Sequence, residues 1–225
     1  VWVKVPQIDA SSTTDHIWMY YGNATAPDGQ DPGQVWSNGY AGVWHLNEAS
    51  GATRQDSTCN NNDVADTTTV ARVEVTGTIA GAADFVPTDY LTLSDAAAVG
   101  LELGTQFTLE AWAKGDEVTT NKIILSKEVS PNISYKIRFS SDRFTMTNSF
   151  DGINDNIANQ TGTSVAGTWY YVVGTYNSPN MDLYLNGAWN KTLATAGGAV
   201  FNGTAPFNIG SKNNGTQPFD GIIDE

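Results

Sequence analysis

The sequence has little of what builds several large classes of protein. Cys59 is the single cysteine, so no disulfide can form within the chain. No run of about 18 apolar residues occurs, which argues against a membrane-spanning helix. Basic residues are also scarce: 11 stand against 24 acidic residues, for a net charge of −13. This balance argues against nucleic acid and anionic membranes as partners, since both select basic surfaces.

Long helical periodicity is lacking too, and the chain is instead rich in strand and turn signals. Its 225 residues include 22 glycines, seven tryptophans, nine tyrosines and eight phenylalanines. Aromatic residues favour strands, and glycine favours the tight turns between them. Residues 106–114 alternate, with one face carrying Phe107, Leu109, Ala111 and Ala113, and the other Thr108, Glu110, Trp112 and Lys114. That alternation predicts a half-buried β-strand.

Two further segments strengthen the β assignment. Residues 169–176 are apolar on both faces, as is typical of a central strand that is covered on both sides. Asn186-Gly187 separates two strand-like runs, and this dipeptide accepts the positive φ values of a type I′ hairpin turn. With roughly a dozen short strands expected, the sequence predicts an all-β antiparallel sandwich or jelly roll.

Two strand-like runs that are remote in sequence, residues 41–48 and 219–225, each end in acidic side chains. Such a pair is typical of a β-sandwich whose first and last strands lie side by side. We therefore expect the two runs to be neighbours. Their carboxylates would then repel one another, bind cations or gather protein donors.

The chain divides near Tyr40, because residues 24–40 are rich in Gly, Pro, Asp, Asn and Gln and indicate a loop or linker. We interpret residues 1–40 as the C-terminal remnant of a preceding β-rich domain and residues 41–225 as the sandwich. The first residue, Val1, and the abrupt end of the chain suggest a piece of a longer protein.

The first 40 residues are expected to add strands against the sandwich. Trp2, Trp18 and Tyr20 lie in or beside strand-like runs there. If this segment did not pack, their large apolar side chains would be left in contact with water.

A set of short motifs occurs in a recognisable order. They are Val43-Trp44-His45-Leu46-Asn47-Glu48, Asp56-Ser57, Gly81-Ala82-Ala83-Asp84-Phe85, Phe107-Thr108-Leu109-Glu110-Ala111-Trp112, Gly167-Thr168-Trp169-Tyr170-Tyr171-Val172-Val173-Gly174-Thr175-Tyr176, Leu183-Tyr184-Leu185-Asn186-Gly187 and Gly221-Ile222-Ile223-Asp224-Glu225. On these motifs, residues 41–225 resemble a laminin-G-like, pentraxin-like domain of the concanavalin A-like lectin/glucanase superfamily. Residues 1–40 resemble the C-terminal part of a domain of unknown function that is common in prokaryotic surface proteins.

This resemblance implies a concanavalin A-like jelly roll of two curved antiparallel sheets. It also implies secretion or display at the cell surface, and binding of glycans or proteins. Members often carry a structural calcium ion, which the resemblance would assign to Asp224 and the segment around Glu48. In the family a further strand usually follows the closing Asp-Glu pair, and residues 1–225 do not include it.

Calcium is the cofactor that the residues themselves support. Ca²⁺ prefers six to eight oxygen ligands, and the predicted meeting of the first and last strands would gather such oxygens. The candidate ligands are Asn47, Glu48, Asp56 and Asp224, with Glu225 beside them. A second, weaker candidate is the Asn-rich loop around Asp151 and Asp155. The alternative is that these acids are strand-end charges solvated by water.

Catalysis is not expected. Glycoside hydrolysis normally needs a pair of carboxyl groups, and on one strand these would follow a Glu-x-Asp-x-(x)-Glu pattern because side chains alternate. That pattern is missing, and Glu110 is the single acid between Phe107 and Ala113. An atypical glycoside hydrolase with another carboxyl pair is kept as the least favoured alternative.

Glycan binding is the leading hypothesis. Sugars bind by stacking on aromatic rings and by hydrogen bonds to polar side chains. The candidate ligand-binding residues are Tyr135, Arg138, Asn148, Asn154, Asp155 and Trp189, with Asn190 beside them. Trp44, Trp112 and Trp169 are predicted to pack in the core. We thus expect a noncatalytic extracellular recognition module of a larger, adhesin-like protein; the alternative is a protein-interaction or spacer module without affinity for sugars.

Overall fold

The computed structural model describes residues 2–49, 53–67 and 74–225. The strands in these ranges, in chain order, are β1 (Ala65–Asp66), β2 (Glu74–Thr76), β3 (Gly81–Phe85), β4 (Leu91–Leu93), β5 (Gln106–Gly115), β6 (Lys122–Val129), β7 (Asn132–Ser140), β8 (Arg143–Ser149), β9 (Asp155–Asn159), β10 (Tyr170–Asn177), β11 (Asn180–Leu185), β12 (Ala188–Ala194), β13 (Phe207–Ile209) and β14 (Gly221–Asp224).

These strands form two antiparallel seven-stranded sheets, which confirms the predicted β-sandwich. The first sheet has the order β1-β4-β13-β6-β7-β8-β9, and the second has the order β12-β11-β10-β5-β14-β3-β2. Non-consecutive strands are neighbours in both sheets, as in a jelly roll. Strand β10 lies in the interior of its sheet, between β11 and β5, as its apolar sequence predicted. The expectation that both of its faces are covered was wrong, because its outward side chains are only half-buried.

The core lies between the inner faces of the two sheets. On β5 the predicted alternation holds, with Leu109, Ala111 and Ala113 buried toward the first sheet. The first sheet contributes aromatic rings, and Phe139 and Phe144 have ring centroids 4.1 Å apart. Burial of these apolar surfaces is the dominant favourable contribution to the free energy of folding.

The predicted hairpin turn is confirmed. Asn186 has a φ of 51° and Gly187 a φ of 79°, the two positive values that a type I′ turn requires. The turn joins β11 to β12, and Leu185 pairs with Ala188 across it.

The expected strand at residues 43–48 is not found, and the prediction that it pairs with the last strand was wrong. Strand β14 lies instead between β5 and β3. The segment packs through its side chains: Leu46 is buried in the core, and Trp44 stacks on Phe207 with ring centroids 4.9 Å apart. A hydrogen bond between His45 and Glu225 joins the two remote runs.

The first part of the chain does not add the expected strands. Residues 2–40 contain one short helix, α1 (Pro32–Val35), whose N-cap Asp31 accepts a hydrogen bond from the amide of Gln34. Trp18 and Tyr20 are 76% and 90% exposed. A packing role for this segment is thus limited to the few residues near its two ends, and the domain division at residue 40 stays a prediction.

The helices found in the described ranges are too short and too polar to cross a lipid bilayer.

Candidate functional site

The outer face of the second sheet carries a pair of aromatic rings. Trp112 on β5 and Tyr171 on β10 are register partners, so both side chains point away from the core. Their ring centroids lie 5.1 Å apart. Both residues are half-buried, and Trp112 lies outside the hydrophobic core cluster. The prediction that Trp112 packs in the core was therefore wrong, whereas Trp44 does pack there.

Three aromatic residues from the N-terminal segment approach the same place. Trp2 and Trp36 have ring centroids 5.2 Å apart, and Trp36 and Tyr40 lie 5.0 Å apart, both pairs edge to face. All three line one open cavity of about 1170 Å³ together with Trp112 and Tyr171. We call the outer part of this cavity, bordered by these five residues and Glu110, the aromatic cleft.

Hydrogen-bonding groups lie among the rings of the aromatic cleft. The hydroxyl of Tyr171 donates to Glu110 Oε2 at 2.6 Å, while Glu110 itself remains exposed. Partial burial raises the pKa of the Tyr171 hydroxyl, and its hydrogen bond to Glu110 raises it further. Tyr171 therefore stays a neutral donor at physiological pH, and the second oxygen of Glu110 can accept a hydrogen bond from a ligand.

A His–Glu pair holds one wall of the aromatic cleft. His45 Nδ1 lies 2.8 and 2.9 Å from the two carboxylate oxygens of Glu225. The ring of Trp2 stacks on His45 with centroids 6.1 Å apart and 13° between the planes. Trp36 contacts the same imidazole at 5.7 Å. The N-terminal aromatic residues are thus tied to the end of the last strand.

Sequence reasoning missed the aromatic cleft although one signal for it was present. The alternation along β5 put Trp112 on the same face as Glu110, which is the polar face. A tryptophan on the polar side of a strand is accessible unless another layer covers it. The contribution of Trp2, Trp36 and Tyr40 had no such signal, because it depends on where an irregular segment folds.

Two of the predicted glycan-binding residues lie inside the sandwich. Tyr135 is 1% exposed, its hydroxyl donates to the carbonyl of Leu101 at 3.0 Å, and burial raises its pKa. It borders only the inner end of the cavity. Asn148 is 0% exposed and accepts a hydrogen bond from the side chain of Asn156 at 3.0 Å. Neither side chain is accessible to a ligand in solution.

The other four predicted residues lie apart from the aromatic cleft. Arg138 and Asp155 share the outer face of the first sheet, where partial burial raises the pKa of Asp155 against the effect of nearby cations. Asn154 donates to Asp151 at 2.6 Å within its own loop. Trp189 is 63% exposed on the edge strand β12. Of these four residues, the structure brings Arg138 and Asp155 together on one face.

The loop that was the weaker calcium candidate holds its carboxylate with its own donors. Backbone hydrogen bonds from Asn154 and Ile153 lower the pKa of Asp151, with the Asn154 backbone as the largest cause. These donors occupy the oxygens that a cation would need.

Asp56, a candidate calcium ligand, is satisfied by protein donors. Its Oδ1 accepts hydrogen bonds from the amides of Val43 and Thr58, both at 2.9 Å. Its Oδ2 accepts from the Thr58 hydroxyl at 2.7 Å and the Asn62 amide at 2.9 Å. In this arrangement Asp56 organises the loop and offers little to a metal ion.

Asp224 and Glu48 keep one oxygen each for another partner. Asp224 is 0% exposed, and its Oδ2 accepts from the amides of Thr78 and Ile79 at 2.6 and 2.8 Å. Glu48 Oε1 accepts from the amide of Gln55 at 2.6 Å. Asp224 Oδ1 and Glu48 Oε2 are buried without a partner in the described part of the chain.

Those two carboxylate oxygens are of the kind that calcium binds, but calcium takes six to eight oxygen ligands. Asn47 is exposed at the same end of the sandwich. Among the described residues, no group of three or more His, Cys, Asp or Glu side chains is placed to hold a metal ion. Backbone carbonyls and water would have to complete a calcium site, and calcium binding stays a prediction.

Two family models match the sequence. A model of the concanavalin A-like lectin/glucanases superfamily, Laminin_G_3, matches residues 86–225. A model of a domain of unknown function, DUF2341, matches residues 1–69. Both agree with the families that the motifs indicated. The second match includes Leu46 and Val64, which are buried in the sandwich core. No curated protein matches the sequence significantly.

Solved structures share the fold at low sequence identity. Domain 4 of AbnA, a GH43 extracellular arabinanase from Geobacillus stearothermophilus in complex with arabinotriose, has a TM-score of 0.55 at 20% identity, over 79% of this chain and 91% of that one. The binding domain of Paraclostridial Mosquitocidal Protein 1 has a TM-score of 0.60 at 12% identity, over 80% of this chain and 47% of that one. A putative carbohydrate binding protein from Bacteroides ovatus has a TM-score of 0.50 at 21% identity, over 64% of this chain and 41% of that one. The match thus covers less than half the length of each of the last two proteins.

Proposed function

The chain belongs to the concanavalin A-like lectin/glucanases superfamily, and from this premise we propose that it is a noncatalytic extracellular recognition module that binds a glycan in the aromatic cleft. The observation that carries the proposal is the group of aromatic rings that borders the outer part of an open cavity, next to the outer face of the second sheet. Two similar structures are described as an arabinotriose complex and a putative carbohydrate binding protein.

The chemistry of the aromatic cleft suits a sugar. The apolar C–H face of a pyranose or furanose ring can stack on Trp112 or Tyr171, and such stacking is strongest where the ring is partly desolvated. Glu110 can accept hydrogen bonds from sugar hydroxyl groups, and Thr108 and Thr175, which line the same cavity, can both donate and accept them. A mostly apolar surface with a few polar groups is typical of small-ligand sites.

The proposal is noncatalytic because the carboxylates that border the cavity have other partners. Glu110 accepts from Tyr171, Glu225 is paired with His45, and Glu102 lies 3.5 Å from the Lys127 ammonium. A hydrolase would need one carboxyl group as a proton donor and the other as a nucleophile or base. Release of reducing sugar from an arabinan or β-glucan, abolished by Glu110→Gln, would contradict this part of the proposal.

We place the module in a larger secreted or surface protein of the adhesin type, with calcium as a structural cofactor near Asp224 and Glu48. The acidic surface, with a net charge of −13, suits a soluble, cation-binding module. In this proposal the module binds a glycan; it neither binds nucleic acid nor inserts into a membrane.

Protein interaction is the second candidate function, and one observation favours it. Ile17, Trp18, Met19, Tyr20 and Tyr21 are between 62% and 90% exposed. A contiguous apolar patch of this kind is typical of an interaction surface. An empty glycan array, combined with capture of a purified surface protein that is lost when Trp18 and Tyr20 are replaced by Ser, would select this candidate.

The glycan proposal is tested by a glycan array followed by calorimetry on any glycan that binds. We expect Trp112→Ala and Tyr171→Ala to lower the affinity at least tenfold, since stacking on an aromatic ring contributes about 1 kcal/mol beyond area burial and the truncation also opens the site. Trp189→Ala is the matched control, because Trp189 is an exposed tryptophan of the same sheet, away from the cleft. Equal loss in all three variants, or none, would contradict the assignment of the site.

A further inference from the structure

The charged side chains that line the cavity at the aromatic cleft are all acidic. They are Glu102, Glu110 and Glu225, and among the described residues no lysine or arginine lines this cavity. Glu102 lies near the ammonium of Lys127, and Glu225 is paired with His45. Glu110 differs from both, because it is exposed and its hydrogen-bond donor is a neutral hydroxyl. A ligand in the cleft therefore meets one carboxylate that no basic side chain neutralises.

The nearest basic side chains on the neighbouring elements lie outside the cleft. Glu110, Trp112 and Lys114 follow one another on the outer face of β5, so Trp112 lies between the two charged residues. Lys4 lines a separate, smaller cavity and donates to the hydroxyl of Ser37 at 2.6 Å. Neither lysine forms an ion pair with Glu110.

Glu110 shares the cleft with rings from both parts of the chain. On the sheet, Trp112 lies 5.1 Å from Tyr171, whose hydroxyl donates to Glu110 Oε2. From the N-terminal segment, Tyr40 comes close to the same hydroxyl: burial and Glu110 raise the pKa of Tyr171, and Tyr40 raises it further. Tyr40 in turn is packed edge to face on Trp36. The carboxylate thus lies among indole and phenol rings.

Rings and a free carboxylate together suit an organic cation. The faces of tryptophan and tyrosine rings attract an ammonium group within about 6 Å of the ring centroid. A carboxylate adds a charge-assisted hydrogen bond. A calcium ion would need six to eight oxygen ligands, which the rings do not provide. An anionic sugar, such as a uronic acid, would be repelled by Glu110.

We propose that the aromatic cleft selects glycans that carry a free, protonated amino group, of which glucosamine is the simplest. This inference rests on the proposed glycan-binding function and adds the class of sugar. The sugar ring stacks on Trp112 or Tyr171, and the ammonium group donates to Glu110 Oε1, the oxygen that Tyr171 leaves free. Acetylation of the amine removes its charge and with it the preference.

Calorimetry with two matched ligands tests the proposal. They are a glucosamine tetrasaccharide and its fully N-acetylated form, which share one backbone and differ in the charge of the amine. At low salt we expect the glucosamine form to bind about tenfold more tightly. Added salt screens the carboxylate, so this advantage should shrink. The affinity of the N-acetylated form should change little with salt, because that form carries no charge.

Substitution of Glu110 locates the preference. Glu110→Gln keeps the size of the side chain and removes its charge, so it should lower the affinity for the glucosamine form more than that for the N-acetylated form. The tenfold preference should then be lost. Glu74→Gln is the matched control, because Glu74 is an exposed glutamate on β2 of the same sheet and does not line the cavity. This control should keep both the preference and its salt dependence.

The outcomes separate this inference from the proposed function. Equal or tighter binding of the N-acetylated form would overturn the inference alone, since a glycan would still bind. Binding of neither form would also overturn it, and the glycan array would then decide whether the module binds any other sugar. A preference that persists in Glu110→Gln would overturn the role of this carboxylate. Tighter binding of a lysine tripeptide than of the glucosamine form would assign the cleft to a protein partner instead.

Discussion

On the outer face of the second sheet Trp112 and Tyr171 are half-buried and border an open cavity, whereas on the outer face of the first sheet Lys136 and Glu128 are buried almost completely. Both faces come from the same two-residue alternation of a β-strand. The outer face of the first sheet is closed because the chain folds back over β6. There Ser211 accepts a hydrogen bond from Ser126, and Lys212 lies near Glu128. Exposure on an outer face is thus decided by the connecting segments.

The largest effect is expected where the closed face is opened. Glu128→Ala should lower the free energy of unfolding by about 3–5 kcal/mol, because it leaves the Lys136 ammonium buried without its partner. Urea denaturation measures the change. Lys122→Ala is the control, since Lys122 pairs with the partly exposed Glu117 at 3.5 Å and should cost about 1 kcal/mol or less. Equal losses would show that the first sheet is not closed in solution.

A buried carboxylate on the second sheet should have the next largest effect. Asp224→Ala removes the acceptor for the amides of Thr78 and Ile79 and should cost about 1–3 kcal/mol in the free energy of unfolding. Thermal unfolding with calcium, magnesium or EDTA also tests the calcium proposal. A calcium concentration one hundred times the dissociation constant would add about 2.7 kcal/mol. That gain should be specific for calcium and absent in Asp224→Ala; a gain that survives the substitution would place the ion elsewhere.

The same carboxylate should produce a pH dependence of stability. Burial raises the pKa of Asp224 despite the two amide donors, so the folded protein binds this proton more tightly than the unfolded chain. Stability from this group is therefore greatest below the ordinary carboxyl range and falls as the pH rises through the raised pKa. Urea denaturation of Asp224→Asn over the same pH range should lack this component; an unchanged pH profile would assign it to another group.

A smaller effect is expected in the open aromatic cleft. Tyr171→Phe removes one hydrogen bond to an exposed carboxylate and should lower the free energy of unfolding by about 1 kcal/mol or less. Because Glu110 regains its contact with water, the loss should be far below that of Glu128→Ala in the same denaturation experiment. A loss of 3 kcal/mol or more, by the scale of a buried charge, would mean that this face is also closed.

Much of the fold follows from local sequence patterns. The alternation along β5 determined which residues enter the core, and Asn186-Gly187 determined the β11–β12 turn. Residues 43–48 show the limit of such patterns. Their strand-like sequence packs Leu46 and Trp44 into the core without a strand ladder, because the place next to β14 is taken by β3 and β5.

The candidate site was predicted less well, and the individual residues explain why. Tyr135 and Asn148 alternate with Lys136 and Thr147, so their inward direction depends on which face of the first sheet is covered. Asp56 is a residue type that often binds metal ions, but the amides of Val43, Thr58 and Asn62 and the Thr58 hydroxyl already donate to its two oxygens. Donor groups of the backbone carry no signature in the sequence.

The sequence by itself determined the β class, the side of β5 that faces the core, the Asn186-Gly187 turn and membership in the superfamily, because these depend on near neighbours and on the order of short motifs. Only the tertiary structure decided which outer face stays open, and that Trp2 and Trp36 meet His45 and Glu225. These contacts join residues that are far apart in the chain. They arise when the sheets and their connecting segments pack, and the local pattern of side chains does not encode them.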